Sequence, residues 1–212
     1  EMSEKAKPLL AAVTKHIREN VDPITEEFFR LGEGRADRWS YAPGQLELLD
    51  GAKQKAREAG LWNFFLPNAE TGEGLANLDY AYIAAELGKS PLAPETLNCS
   101  APDTGNMEVL ERVGTPEQKE RWLKPLLAGE IRSAFAMTEP DVASSDARNI
   151  STSAVLDGDD WVINGEKFYI SGAGDPRCKI MIVMVKTSPE AETFRQQSQI
   201  LVPMDTPGVE IL

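Results

Sequence analysis

Histidine occurs once in the 212 residues, at His16, and cysteine twice, at Cys99 and Cys178. A metal centre built from His and Cys needs more ligands than that and is excluded by count. The cysteines lie far apart with no CxxC spacing, which reads as free thiols of a reducing compartment, with a lone disulfide as the alternative. A Ser-His-Asp triad would have to recruit His16, which sits among charged residues and reads as a solvated helix position. No Gly-x-Ser-x-Gly elbow is present to raise a nucleophile. Positive charge is scarce too: 22 Lys and Arg face 34 Asp and Glu, for a net charge of −12. Nucleic acid is bound through clustered Lys and Arg, so it is not an expected partner. The longest apolar run, IMIVMV at 180–185, falls far short of the ~18 residues of a membrane span. The opening residues, EMSEKAKPLLAAVTKH, carry neither a long apolar stretch nor a small-residue cleavage site, so no targeting segment is expected and the cytosol or an organelle lumen is the expected location.

What is present divides into two halves. From Leu10 the apolar residues Leu10, Val13, Ile17, Val21, Ile24 and Phe28 keep the spacing of one helix face, with Pro23 predicting a kink or break near Val21. A second helix is expected from about Pro43 to Ala59, stopped by Gly60. A third follows Asn77 as N-cap, and a fourth runs from about Pro102 to Val113. The best-marked start is Thr115-Pro116-Glu117-Gln118, with a cap, a proline at the first helical position and a capping-box glutamine. Five or six helices with short connections predict an antiparallel bundle.

After Gly129 the pattern shortens to SAFAMT, STSAVLD, DWVINGEKFYIS, KIMIVMVKT and SQILVPM, separated by Gly, Asp and Pro. LDGDDW is a hairpin signal, and INGEKF sets Asn-Gly between apolar runs as a second one. With no helix between strands, a mainly antiparallel sheet or barrel of roughly six strands is expected, and the fold class is α+β. The end at VEIL, within what reads as another strand, gives the expectation of a piece of a longer protein.

Acid–base candidates are Glu139, Asp141 and Asp146, although a loop rich in Asp and Ser more often serves turns and local caps. Gly72-Glu-Gly74 and Gly172-Ala-Gly174 lack the strand, third glycine and crossover helix of a dinucleotide fingerprint, and both read as turns. The remaining feature is a pair of expected strand ends carrying small hydroxyls, Thr138 and Ser171. Backbone amides and a hydroxyl at a strand end suit a flat ligand with a polar edge.

A helical half, then SAFAMTEPDVASSDA, then VINGEKFYISGAG, resembles the acyl-CoA dehydrogenase flavoenzymes. Their β-domain carries aromatic-x-x-Thr-Glu-Pro, a Gly/Ala-rich Ser-Asp loop and, further on, Ile-Asn-Gly-x-Lys-x-Trp-Ile-Thr. The likeness spans the chain and includes the Thr-Pro-Glu-Gln-Lys helix start. Phe135 stands for the commoner tyrosine, Tyr169 for tryptophan and Ser171 for threonine, and the loop DVASSD is one residue longer without its glycines. The DVASSDARNI and SGAGDPRCKI wording is most similar to a branch whose animal members can be fused to a phosphotransferase-like kinase domain.

The resemblance implies an N-terminal helical domain over residues 1–130 and an incomplete middle β-domain over 131–212, with a C-terminal helical domain beyond them. It implies FAD, with Phe135, Ala136, Met137 and Thr138 on the pyrimidine edge and Tyr169, Ile170 and Ser171 flanking the other side, Tyr169 against the ring face and Ser171 near N5. Ser145, or alternatively Ser144, matches the serine that contacts the coenzyme A thioester arm. The implied reaction is α,β-dehydrogenation of an acyl-CoA to the trans-2-enoyl-CoA in fatty acid metabolism. Its catalytic glutamate is expected beyond Leu212, so no residue here is assigned as the base. The family also implies a homodimer or homotetramer, an electron-transferring flavoprotein as acceptor, and a bacterial cytoplasm or an organelle matrix as location. The rival expectations are a flavin monooxygenase on the same scaffold and a catalytically silent interaction protein.

Overall fold

In the computed structural model, which describes residues 1–212, the first helical run is a rod with a defect. Helix α1 (Ala6–His16) passes into a π-helical turn (Ile17–Val21) and then into α2 (Asp22–Gly32). The Asp22 amide bonds back to the Ile17 carbonyl, so the turn is widened just before Pro23, which has no amide to give the helix ladder. The expected kink is thus absorbed as a π turn, and Val13, Ile17, Val21 and Phe28 remain on a buried face.

Helix α3 (Gln45–Glu58) ends as its sequence predicts. Gly60 has φ +71°, its amide bonds to Arg57 O and that of Leu61 to Ala56 O, the two bonds of a Schellman closure. Helix α4 (Asn77–Leu87) begins at Asn77 itself, with Ala76 extended before it and no side-chain cap, so the expected Asn77 cap is not formed. Its buried Asp79 instead accepts from the Ser3 amide and hydroxyl, both at 2.7 Å, tying the chain start to α4. Short α5 (Ala93–Thr96) and α6 (Asp103–Val113) complete this unit, Glu1–Thr115.

The second unit, Pro116–Leu212, opens with α7 (Pro116–Gln118), a π turn (Lys119–Leu123) and α8 (Lys124–Leu127). Five strands follow: β1 (Arg132–Ala136), β2 (Ser153–Asp157), β3 (Asp160–Asn164), β4 (Cys178–Lys186) and β5 (Gln197–Pro203). The α+β class is as expected. Within it the sheet is mixed, in the order β1-β4-β2-β3 with β5 also on β4, and not wholly antiparallel. β2–β3 and β4–β5 are antiparallel hairpin neighbours, whereas β1 and β2 both run parallel to β4. The chain between β1 and β4 is long enough to cross over without a helix, because the β2–β3 hairpin itself fills the connection.

The LDGDDW hairpin forms as expected, Asp157 facing Asp160 across Gly158-Asp159. The second expected hairpin, at Asn164-Gly165, does not form, and FYIS is not a strand: residues 165–170 leave the sheet and 171–174 form a turn. One edge of β4 takes β1 along Cys178–Val183 and then meets β2 only at Lys186. The stretch of that edge between the end of β1 and the start of β2 is where the candidate site lies. The core beneath is Ala136, Ala154, Val183, Val185 and Val202, with Ile163 and Ile170 packed against it. No helix is long and apolar enough to cross a membrane.

Candidate functional site

The two expected strand ends do meet, but as irregular backbone held by side chains. Thr138 lies two residues beyond β1, and its carbonyl accepts from the Phe168 amide at 2.8 Å. Its hydroxyl donates back to the Phe168 carbonyl at 2.5 Å. Lys167 Nζ donates to the Met137 carbonyl at 2.8 Å and to Glu139 Oε1 at 2.9 Å. The second carboxylate oxygen, Glu139 Oε2, accepts from the Ser151 amide and hydroxyl, while Oε1 also accepts from the Thr152 amide. One carboxylate therefore joins the exit of β1, the entry of β2 and the segment after β3.

Glu139 and Lys167 were not among the expected site residues as a pair. Glu139, an acid–base candidate by sequence, lies inside the fold. Its side chain is 2% exposed. Burial opposes its ionisation, but the donors Lys167, Ser151 and Thr152 outweigh that and hold the carboxyl well below the usual range. Burial pulls the Lys167 ammonium below its ordinary value, with Glu139 acting against that pull. The sequence signal for this network was the shared Thr-Glu-Pro and Asn-Gly-x-Lys spelling. Gly165 is required by the close approach of Thr152, since a Cβ there would sit 2.3 Å from the Thr152 hydroxyl. Asn164-Gly165 is therefore a packing contact and not a hairpin turn.

These bonds sort the polar groups of the two segments. The carbonyls of Met137, Thr138 and Phe168 are all used internally. The amides of Thr138, Tyr169, Ile170 and Ser171 donate to no backbone carbonyl. Tyr169 takes a left-handed backbone, φ +56°, a conformation a bulky side chain adopts only when its surroundings impose it. The imposing contact is next in sequence: Ile170 packs into the sheet core, which turns Tyr169 outward to 86% exposure. Its ring lies 4.1 Å from that of Phe168. Ser171 is exposed, Phe135 and Met137 are half-buried, and Ala136 is in the core.

In the loop after Glu139 the two serines separate. Ser144 is buried and its hydroxyl accepts from the Glu139 amide at 2.6 Å. Ser145 is exposed. Asp146 accepts from the Arg148 amide and pairs with the Arg148 guanidinium, which hold its carboxyl down to about 2. It is the local cap its position suggested.

Elsewhere one expectation is corrected. His16 is not solvated: it is buried at 3% exposure, with Nε2 3.2 Å from the Thr96 hydroxyl and Nδ1 3.3 Å from the Asn20 amide group. The Thr96 hydroxyl donates to Ala93 O, so it accepts from His16 Nε2–H, and the ring is the neutral Nε2 tautomer. Burial, then the Lys55 charge, lowers its pKa. Both cysteines are buried thiols outside any disulfide, and burial pushes the Cys99 thiol up to about 11. No group of His, Cys, Asp and Glu is arranged to hold a metal ion.

Residues 3–130 match the acyl-CoA dehydrogenase N-terminal domain and residues 134–212 the acyl-CoA dehydrogenase middle domain. A probable acyl-CoA dehydrogenase of Mycobacterium tuberculosis is 52% identical over 214 residues, covering 100% of this chain and 51% of that protein. Acyl-CoA dehydrogenase family member 10 of Mus musculus is 48% identical, across 100% of this chain and 20% of its own length. The structure of a putative acyl-CoA dehydrogenase from Mycobacterium abscessus superposes with TM-score 0.89 at 50% identity, over 98% of this chain and 52% of that one. A glutaryl-CoA dehydrogenase of Mycobacterium smegmatis in complex with FADH2 shares the fold, TM-score 0.70 at 24% identity, over 98% and 47% of the two chains. This chain thus spans about half the length of its bacterial relatives and less of the animal one. On these matches the chain belongs to the acyl-CoA dehydrogenase family.

Proposed function

We propose that Phe135–Thr138 hold the pyrimidine edge of FAD and residues 169–171 flank its other side, in an enzyme that dehydrogenates an acyl-CoA thioester to the trans-2-enoyl-CoA. The carrying observation is the sorted edge: amides of Thr138, Tyr169, Ile170 and Ser171 without backbone acceptors, beside carbonyls already consumed. A flavin's polar margin offers carbonyl oxygens and ring nitrogens as acceptors beside one N–H donor, so an edge rich in amide donors fits the group. When bound, the flavin accepts the hydride that leaves the β-carbon of the thioester. This chain's residues bind and orient it. Thr138 and the backbone from Phe135 to Met137 hold one margin, the Tyr169 ring covers a face, and the Ser171 hydroxyl lies near the reacting nitrogen. Hydrogen bonds fixed before the reaction stabilise charge that develops there, because the donors need not reorganise.

Ser145, exposed on the loop, contacts the coenzyme A arm in this reading, while the Ser144 hydroxyl serves the loop itself. Glu139 is not the base: its carboxylate is saturated with donors and buried, so no residue of 1–212 is assigned that role. The reading divides the chain into an N-terminal domain over 1–130 and part of a middle domain over 131–212. The whole protein is a homodimer or homotetramer that passes electrons to an electron-transferring flavoprotein, in a bacterial cytoplasm or an organelle matrix.

The test is an anaerobic titration of the full-length protein with a panel of acyl-CoAs, following the visible flavin band. Bleaching by one chain length is expected. A bound flavin that no acyl-CoA bleaches contradicts the dehydrogenase, and a protein without flavin contradicts the edge assignment.

A further inference from the structure

We propose that the Glu139–Lys167 pair is a charge-neutral positioning lock, which fixes the two segments of the flavin edge against each other and cancels the charge that either residue alone would set behind it. The inference rests on the flavin reading above and concerns residues that touch the edge only from within.

The geometry requires polar groups at both ends of the pair. The backbone that leaves β1 at Ala136 and the backbone that enters β2 at Ser153 follow one another along the same edge of β4. Between them neither segment has a strand partner. The Ser151 and Thr152 amides face inward and need an acceptor, which only Glu139 supplies. The Met137 carbonyl needs a donor, which Lys167 supplies. An apolar pair of the same volume would leave the buried Thr152 amide and the part-buried Ser151 amide and Met137 carbonyl without these partners. That is why an ion pair persists where hydrophobic replacement is so often harmless.

The second part concerns charge. Lys167 Nζ is bonded to the carbonyl of Met137, the residue immediately before Thr138, and to Phe168 only through its own backbone. Its side chain is 11% exposed and that of Glu139 2%, so water screens neither well. Left alone, the ammonium would favour an electron-rich ligand beyond Thr138, and the carboxylate would disfavour it. Together they present no net charge, and the potential of the bound group is left to the hydrogen bonds of the amides.

The experiment compares full-length holoenzyme with the near-isosteric Glu139→Gln, with Lys167→Met, and with both together. The readouts are the flavin midpoint potential and the thermal melt. Glu139→Gln exposes the edge to the lysine charge and should favour reduced over oxidised flavin about tenfold, a positive shift of ~30 mV for a two-electron couple. Lys167→Met should shift the potential by a similar amount in the negative direction. The double variant should return towards the wild-type potential while melting lower than wild type. Single variants that melt lower with unmoved potentials, or that shift in the same direction, overturn the lock and leave a merely structural pair. Should one single variant fail to fold, the sign of the shift in the other decides. A wild-type protein that binds no flavin contradicts the underlying reading instead, so the two failures are told apart.

Discussion

Two Lys–Glu pairs of nearly equal length do different work in the two units. In the helical unit Lys53 Nζ lies 2.8 Å from Glu95, with Asp50 3.7 Å away as a second partner. The pair joins α3 to α5 through side chains alone. In the sheet unit Lys167 lies 2.9 Å from Glu139, and the backbone around it is irregular and depends on it. A buried ion pair by itself says little about function. What distinguishes the second pair is that it also bonds backbone groups, the Met137 carbonyl and the Ser151 and Thr152 amides, and so braces segments whose outward amides have no backbone acceptor.

The sharpest way to break this comparison is to remove the acid from each pair. Glu139→Ala strands a buried ammonium and two amides, and should lower unfolding free energy by about 3–5 kcal/mol in urea denaturation. A loss below about 1 kcal/mol would put the two pairs in one class. Next in size is Gly165→Ala, which drives a methyl into Thr152 and should cost about 1–3 kcal/mol, read as a shift in the urea midpoint. Glu95→Ala is the control: Asp50 stays near Lys53 and Glu95 is itself 19% exposed. About 1 kcal/mol is expected there.

Smaller effects separate stability from binding. Tyr169→Ala removes an 86% exposed ring and should leave the unfolding free energy within about 0.5 kcal/mol of wild type while weakening flavin retention on gel filtration. Parallel losses of both would mean that the ring packs on protein. His16 sharpens the contrast from the helical side. Its folded-state pKa is lowered below the ordinary 6.5, so the unfolded chain takes up the proton first as pH falls. Stability is therefore fully present above 6.5 and is lost progressively below it. His16→Gln should flatten that slope between pH 7 and 5, and an unchanged slope would contradict the buried neutral ring.

How much of this was legible in the sequence depended on whether the signal was local. The Gly60 stop, the Pro116 start and the Gly158-Asp159 hairpin were readable because each is decided within a few residues. The parallel pairing of β1 with β4 was not, since a hairpin inserted between two strands looks the same whether the outer strands run together or opposed. Asn164-Gly165 misled because the glycine answers to Thr152, which is distant in sequence, and not to a turn. His16 is set against Thr96, from another element, so its charged sequence neighbours gave the wrong impression. The segments 135–138 and 169–171 are singled out by the resemblance alone, which names their residues without the network that joins them. That network is non-local: Glu139 reaches residues 151, 152 and 167.

The most direct test of the sorted edge is amide hydrogen exchange in the full-length protein, with FAD bound and with FAD removed. Thr138, Tyr169, Ile170 and Ser171, whose amides have no backbone acceptor, should exchange fast without flavin and become protected when it binds. The Phe168 amide, already bonded to Thr138 O, should be protected in both states. Exchange at 138 and 169–171 that does not respond to flavin would contradict the edge assignment.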